Sequence, residues 1–170
     1  MSELIESVSC AVLIGAGATA VVDLWALVRK WTRGVPLPDY ALVGRWLAHM
    51  KQGKFQHESI SASTRRRSER LIGWTAHYLV GIAFAALLLA IYGIRWAHAP
   101  TLRPALIIGI STVAAPFLLM QPGMGAGIAA RRTSNPRAAR VRSLVTHAVF
   151  GMGMYVAALG AKLLLFPVHS

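Results

Sequence analysis

The sequence predicts an all-α, integral membrane four-helix bundle. Hydrophobic residues make up 55% of the 170 residues and charged residues only 14%, and the mean hydropathy is +0.52, which is too apolar for a soluble domain of this size. The apolar residues form four long runs, and about 20 apolar residues in a helix cross a bilayer. Most basic residues lie between these runs, so we assign the net charge of +12 to the membrane surface and expect no nucleic acid partner.

The four predicted spans cover residues 8–28, 71–94, 104–121 and 144–168 of a single domain, residues 1–170. The third span is the shortest. It contains a proline at position 116, which lacks a backbone donor and should bend the helix. The Gly-rich segment that follows this span either extends the helix or turns back as a loop.

The distribution of lysine and arginine predicts the orientation of the spans. Ten of the 18 basic residues lie in the connection 29–70 and five between the third and fourth spans, which leaves Arg95, Arg103 and Lys162 for the other side. Both basic connections are therefore predicted to face the cytoplasm, and both termini to lie outside it. The run Arg65–Arg67 is expected to attract anionic lipid.

A short amphipathic helix is predicted in the middle of the long connection. The apolar residues that recur there at helical spacing, over residues 40–50, are Tyr40, Val43, Trp46, Leu47 and Met50. Arg45, Lys51 and Lys54 are available for the opposite, polar side. This pattern is typical of a helix in the headgroup region, and it equally suits packing against the ends of the spans. We expect His49 and His57 of this connection to be solvated.

The sequence also contains a weak internal repeat. Residues 73–81 and 143–151 match, and both place a histidine four residues before a glycine at the start of an even-numbered span. Spans one and three share Leu-Ile-Gly at 13–15 and Ile-Ile-Gly at 107–109. Because spans two and four run in the same direction, this pattern predicts two helical hairpins related by a parallel repeat.

Polar side chains inside the spans are the candidate site. An ionisable residue near the centre of a span costs about 2.5 to 3.5 kcal/mol, so each one calls for a partner or a role. Asp23, His77 and His147 are predicted at comparable depth near the cytoplasmic ends of spans one, two and four. Thr19 lies one turn from Asp23, and Gln121 approaches from span three. We therefore predict a ligand-binding cluster of these five residues.

Several chemistries are open to this cluster. Asp23, His77 and His147 could hold a divalent metal, and the two histidines could ligate a haem. The prediction we favour is that the cluster binds or passes a small polar ligand or ion. The alternatives are a metal- or haem-dependent membrane enzyme or redox protein, and a non-catalytic scaffold in which the cluster only fixes helix packing. The many small residues in the spans also suit a homo-oligomer.

A series of motifs extends over nearly the whole chain. In order, these are Gly-Ala-Gly-Ala-Thr-Ala leading to Asp-Leu-Trp (15–25), Gly-Arg-Trp (44–46), Gly-Trp-Thr-Ala-His-Tyr (73–78), Pro-Phe with Gln-Pro-Gly-Met-Gly (116–125), and His with Phe-Gly (147–151). The series resembles an uncharacterised family of small bacterial inner-membrane proteins. The resemblance implies a bacterial inner-membrane location and a four-helix domain. Because that family has no established activity, it implies no catalytic residue.

Overall fold

A computed structural model describes residues 3–166 of the chain, and over these residues the regular secondary structure is helical, with no strand. In chain order, the helices are α1 (Glu3–Arg33), α2 (Tyr40–Met50), α3 (Glu69–Tyr92), α4 (Arg95–His98), α5 (Leu102–Ser111), α6 (Gln121–Gly123) and α7 (Pro136–Leu165). A π-helical segment, Pro116–Met120, precedes α6, and a short 3-10 helix, Ile128–Ala130, follows it.

Four helical stretches are long and apolar enough to cross a membrane: Glu3–Arg33, Glu69–Tyr92, Leu102–Gly123 and Pro136–Leu165. The predicted all-α architecture with four spans is therefore confirmed. The last helix begins well before the predicted residue 144, because proline suits a first helical position and the side chain of Asn135 accepts a hydrogen bond from the Ala138 amide at 3.0 Å. The predicted end of that span, at residue 168, lies outside the described residues.

The third span changes its helix type part-way along. Pro116 has no N–H to continue an α-helix, and the chain from Pro116 to Met120 winds as a π-helix, in which the Gln121 amide donates to the Pro116 carbonyl five residues earlier. After Gly123 the chain leaves the helix through Gly125 and Gly127, whose φ angles are +99° and +74°. Of the two predicted outcomes for the Gly-rich segment, the structure shows the turn.

The described residues form two compact units. Unit 1 comprises residues 3–36, 78–111 and 146–166, and contains most of the span residues. Unit 2 comprises residues 37–77 and 112–145, and contains most of the long connection together with the Gly-rich turn.

Close glycine contacts hold the helices of unit 1 together. A Cβ atom built on Gly15 of α1 would lie 2.7 Å from the Gly81 carbonyl oxygen of α3, and one built on Gly109 of α5 would lie 2.7 Å from the Gly151 amide nitrogen of α7. Small residues let helix backbones approach in this way. Spans one and two therefore meet at the same motif positions as spans three and four, as a repeat of two hairpins requires.

The core of unit 1 lies between α1, α3 and α7. Ile14, Leu88 and Met154 are fully buried there, and Cys10 packs beside them as a buried free thiol. Gly153 of α7 faces the Ala18 backbone of α1 so closely that a Cβ atom would lie 3.0 Å from the Ala18 carbonyl oxygen. The first and last spans are thus in backbone contact.

Helix α2 packs on the start of α3 within unit 2. Asp39 caps α2, because its side chain accepts a hydrogen bond from the Ala41 amide at 3.0 Å. Gly44 and Gly73 then meet at the crossing, where a Cβ atom on Gly44 would lie 2.6 Å from the Gly73 amide nitrogen. Helix α2 therefore meets α3 through Gly44, which is not part of the predicted apolar stripe, and the choice between the two roles of that stripe stays a prediction.

Two loop segments of unit 2 pair with each other. The His57 amide donates to the Gly123 carbonyl at 2.9 Å, and the Ile60 amide donates to the Met124 carbonyl at 3.1 Å. The Trp46 indole packs against Gly123 and donates to the Phe55 carbonyl at 2.9 Å. The Gly-rich turn is therefore fastened to the long connection by backbone bonds.

Candidate functional site

Asp23 lies in α1 and interacts with a tyrosine of α3 in unit 1. The Tyr78 hydroxyl donates a hydrogen bond to Asp23 Oδ2 at 3.1 Å, and both side chains are half-buried. The sequence prediction did not include Tyr78, although it directly follows His77. A tyrosine beside a predicted polar site is a possible donor, and that signal was available in the sequence.

Thr19, one turn before Asp23, contributes to helix packing. Its hydroxyl donates to the Gly15 carbonyl of its own helix at 2.8 Å, and its side chain is 1% exposed. The same hydroxyl lies against Gly81, where no side chain larger than hydrogen fits. The threonine therefore fills the space that the glycine of α3 leaves, which is a structural role.

His147 of α7 also interacts with a helix backbone in unit 1. Its Nδ1 lies 3.2 Å from the Gly109 carbonyl oxygen of α5. A carbonyl oxygen only accepts, so Nδ1 carries the proton in this bond. The bond lies next to the contact between Gly109 and Gly151, and it fixes the orientation of the imidazole.

His77 belongs to unit 2, where it lies in an aromatic cluster. Its ring stacks on Tyr40 of α2 with a centroid distance of 4.0 Å, and it meets the edge of Trp74 at 5.9 Å. The two histidines of the predicted repeat, His77 and His147, are thus in different surroundings, one among aromatic rings and one at a backbone carbonyl.

Gln121 begins α6 in unit 2. Its Nε2 atom lies 3.5 Å from the Ser143 hydroxyl of α7. Its Oε1 atom is buried and accepts no hydrogen bond from residues 3–166. A buried amide oxygen without a donor is costly, so this side chain can accept a bond from a ligand or a water molecule.

A metal site needs several ligands that converge. Over residues 3–166, no group of three or more His, Cys, Asp or Glu side chains is arranged so that it could hold a metal ion. The described conformation therefore offers no three-residue ligand set, and the metal ligation predicted for Asp23, His77 and His147 stays a prediction.

A buried ion pair organises unit 2, and the sequence prediction for its arginine is wrong. Arg45 was expected on the polar side of α2, but it is 6% exposed, and its Nε and Nη2 atoms donate to both oxygens of Glu69 at 2.8 and 2.9 Å. The bonds to Glu69 raise the pKa of Arg45, while burial acts in the opposite direction. The Arg45 Nη1 atom also lies 3.2 Å from the carbonyl oxygens of residues 60, 61 and 63.

The predictions that His49 and His57 are solvated are also wrong. Their side chains are buried in unit 2, with 5% and 6% exposure, and their rings meet edge to face at 4.9 Å. His57 Nδ1 lies 2.9 Å from the Ser63 hydroxyl. Burial lowers the pKa of His57, and the positive charge of Lys54 lowers it further.

Comparison with known proteins assigns the chain to a family. Residues 12–161 match the family described as "Protein of unknown function (DUF2938)". The chain belongs to the DUF2938 family. This confirms the resemblance to an uncharacterised family, and the four long apolar helices fit a small membrane protein. No curated protein and no solved structure matches this DUF2938 protein.

Proposed function

We propose that this DUF2938 protein binds or passes a small polar ligand or ion inside the membrane, with Asp23 as the central group. The observation that carries the proposal is the bond from the Tyr78 hydroxyl to Asp23 Oδ2 at 3.1 Å, between two membrane-spanning helices. Ionisable residues inside spans mark ion, proton or substrate pathways more often than residues elsewhere.

The chemistry of the pair suits a proton or a small cation. A carboxylate takes up and releases a proton or binds a cation, and a tyrosine hydroxyl that donates to it fixes its orientation. Thr19, His77, His147 and Gln121 remain the other predicted ligand-binding residues, and each can be tested by its own substitution.

The membrane setting is part of the proposal. We propose the bacterial inner membrane as its location, which the family resemblance implies. We also propose that both termini are periplasmic, because 15 of its 18 basic residues lie in two connections, which then face the cytoplasm. Anionic lipid is the proposed partner of Arg65–Arg67, each basic residue contributing about 1 kcal/mol at the surface. Homo-oligomer formation rests on the small residues of the spans. One of these, Gly160, has no atom of residues 3–166 within 4 Å of the place where a Cβ would be, apart from the neighbouring residues and backbone of its own helix.

The test is proton flux through the purified protein in proteoliposomes that contain a pH-sensitive dye, driven by a potassium diffusion potential. Asp23→Asn keeps the shape of the side chain and removes its charge, so we expect at least tenfold slower flux with an unchanged thermal midpoint. Tyr78→Phe should slow flux less, because the carboxylate remains. Glu58→Gln is the matched control, since it removes an exposed carboxylate outside the spans.

A scaffold without ligand is the second candidate, and the bonds of Thr19 to Gly15 and of His147 to Gly109 favour it. In that case, Asp23→Asn lowers the thermal midpoint. The wild-type protein and every variant then show only the flux of protein-free liposomes. If the wild-type protein conducts protons and the Asp23→Asn variant conducts them equally fast, the proposed role of Asp23 is wrong. Flux in sodium or potassium gradients, measured in the same vesicles, then distinguishes the ions.

A further inference from the structure

A basic cavity of about 180 Å³ lies in unit 2, beside the Gly-rich turn. Gln56 and His57 of the long connection line it, together with Arg131 and Arg132. At about 30 Å³ for each water molecule in the liquid, the cavity has room for about six, which is enough for a hydrated oxyanion. Pro122 and Ile128 complete the lining with apolar surface.

The two arginines reach the cavity because of Gly127. This glycine has a φ of +74°, and a Cβ atom built on it would lie 2.8 Å from Cγ of Arg131 and 3.0 Å from Cγ of Arg132. The aliphatic parts of both arginine side chains therefore pass close to Gly127, in the space that a larger side chain at position 127 would occupy. Both residues are exposed, and neither guanidinium forms an ion pair with residues 3–166.

The backbone of the turn adds further donors. The backbone bonds within the turn use the amides of Gly125, Ala126 and Ala130, and leave those of Gly127 and Ile128 unused. Ala129 and Ala130, which follow, have positive φ angles of 47° and 59°, so the chain turns sharply between these two amides and the arginines. Both unused amides belong to residues that line the cavity together with the two arginines.

His57, which also lines the cavity, is held in place by hydrogen bonds. His57 is 6% exposed, its amide bonds to the Gly123 carbonyl, and its Nδ1 lies 2.9 Å from the Ser63 hydroxyl. Its Nε2 atom is buried and has no hydrogen-bond partner among residues 3–166. Because this atom is closed to solvent, His57 contributes a fixed part of the lining, and the arginines supply the charge.

We propose that this cavity is a binding site for a phosphate group. Guanidinium groups bind phosphate oxygens in pairs of parallel hydrogen bonds, and two adjacent arginines with backbone donors match the several oxygens of one phosphate. The apolar residues of the lining suit the glycerol end of a phospholipid headgroup. A lipid headgroup and a free phosphate share this chemistry, and the experiment separates them.

The site is independent of the proposed role of Asp23. Its lining residues all belong to unit 2, whereas the pair of Asp23 and Tyr78 belongs to unit 1. It is also separate from Arg65–Arg67, whose proposed attraction to lipid rests on charge alone and requires no cavity.

The first arm of the experiment uses full-length protein in a neutral maltoside detergent. Sodium phosphate is titrated against sodium chloride at equal ionic strength, and the thermal midpoint and the amide exchange of residues 127–132 are measured. We expect phosphate to raise the midpoint and to slow exchange in the wild-type protein. Arg131→Gln with Arg132→Gln should weaken the effect at least tenfold.

The second arm uses nanodiscs of phosphatidylcholine with and without phosphatidic acid, and native mass spectrometry to count retained lipid. If the wild-type protein retains phosphatidic acid and the double variant does not, the ligand is a lipid headgroup. A response to inorganic phosphate without lipid retention identifies a free phosphate. Either result supports the site, and Asp23→Asn should leave both unchanged.

The matched control removes the same charge at Arg137 and Arg142, which are exposed near the start of α7 and do not line the cavity. If both double variants weaken binding equally, the effect is general electrostatics and the proposal is wrong. Absence of a phosphate response and of lipid retention in the wild-type protein overturns it without any variant. Because Arg131 and Arg132 are exposed, their substitution should leave the tryptophan emission of the protein unchanged, which verifies folding.

Discussion

The ion pair between Arg45 and Glu69 is expected to determine whether the connection folds onto α3. The side chains of the two residues are 7% and 15% exposed, and their two hydrogen bonds form a parallel fork. Removing one partner of a buried pair costs about 3 to 5 kcal/mol, because the other charge stays buried and unpaired. In Arg45→Met, the carbonyls of residues 60, 61 and 63 lose a donor as well.

Local amide exchange measures this cost directly. The amides of His57 and Ile60 donate to the Gly-rich turn when the long connection is packed on it. Their protection from exchange therefore measures the stability of this packed state. Since each 1.4 kcal/mol is a factor of ten, a loss of about 3 kcal/mol should lower the protection of these two amides at least a hundredfold in Arg45→Met. Glu69→Gln should act in the same direction, because it leaves the guanidinium without its charged partner.

A double variant supplies the control. Replacing both charges, as Arg45→Met with Glu69→Leu, removes the unpaired charge and usually restores much of the stability. We expect protection between that of the wild-type protein and that of Arg45→Met, since the three carbonyls still lack their donor. Wild-type protection in Arg45→Met would refute the reasoning, as would a double variant that loses the sum of the two single effects.

Two further predictions concern glycine packing and pH. Gly109→Ala places a methyl group against Gly151 and should lower the thermal midpoint in detergent by several degrees. Gly160→Ala should leave the midpoint unchanged, because within residues 3–166 its added methyl meets only the neighbouring residues and backbone of its own helix. Equal midpoints would contradict the proposed contact. The pKa of His57 is lower when the long connection is packed on the Gly-rich turn than when the connection is open. The open form therefore takes up a proton near pH 6.5, and the packed form does so only at lower pH. The stability of the packed connection should fall as the pH drops below 6.5. Amide exchange of Ile60, corrected for its intrinsic pH dependence, should show this loss in the wild-type protein and a smaller one in His57→Gln.

The spans could be predicted from the sequence because lipid imposes one solution on them. A backbone in hydrocarbon must satisfy its own hydrogen bonds, so a long apolar run can only be a helix. Pro116 marked the irregular point of the third span, because a proline has no backbone N–H to donate within a helix. The glycines of the repeat were visible as motif positions, and the structure shows that Gly15 meets Gly81 and that Gly109 meets Gly151.

The contacts of unit 2 could not be predicted in the same way. Arg45 reads as a solvated residue on an amphipathic helix, and its partner Glu69 lies 24 residues away in a run of arginines. Nothing in local spacing indicates that pairing. The burial of His57 likewise depends on the Gly-rich turn, which lies more than 60 residues further along the chain. Helix periodicity gives no information about contacts between two loops.

The glycine contacts of unit 1 also suggest an order of assembly during synthesis. Gly15 and Gly81 are 66 residues apart, which a ribosome covers in about 3 to 13 s at 5 to 20 residues per second. Ala18 and Gly153 are 135 residues apart, which takes about 7 to 27 s. The first hairpin can therefore close in the bilayer while the second is still being made. Until Gly153 arrives, the α1 surface at Ala18 faces lipid or the insertion machinery, so the nascent first hairpin is the form in which that surface is open to other proteins.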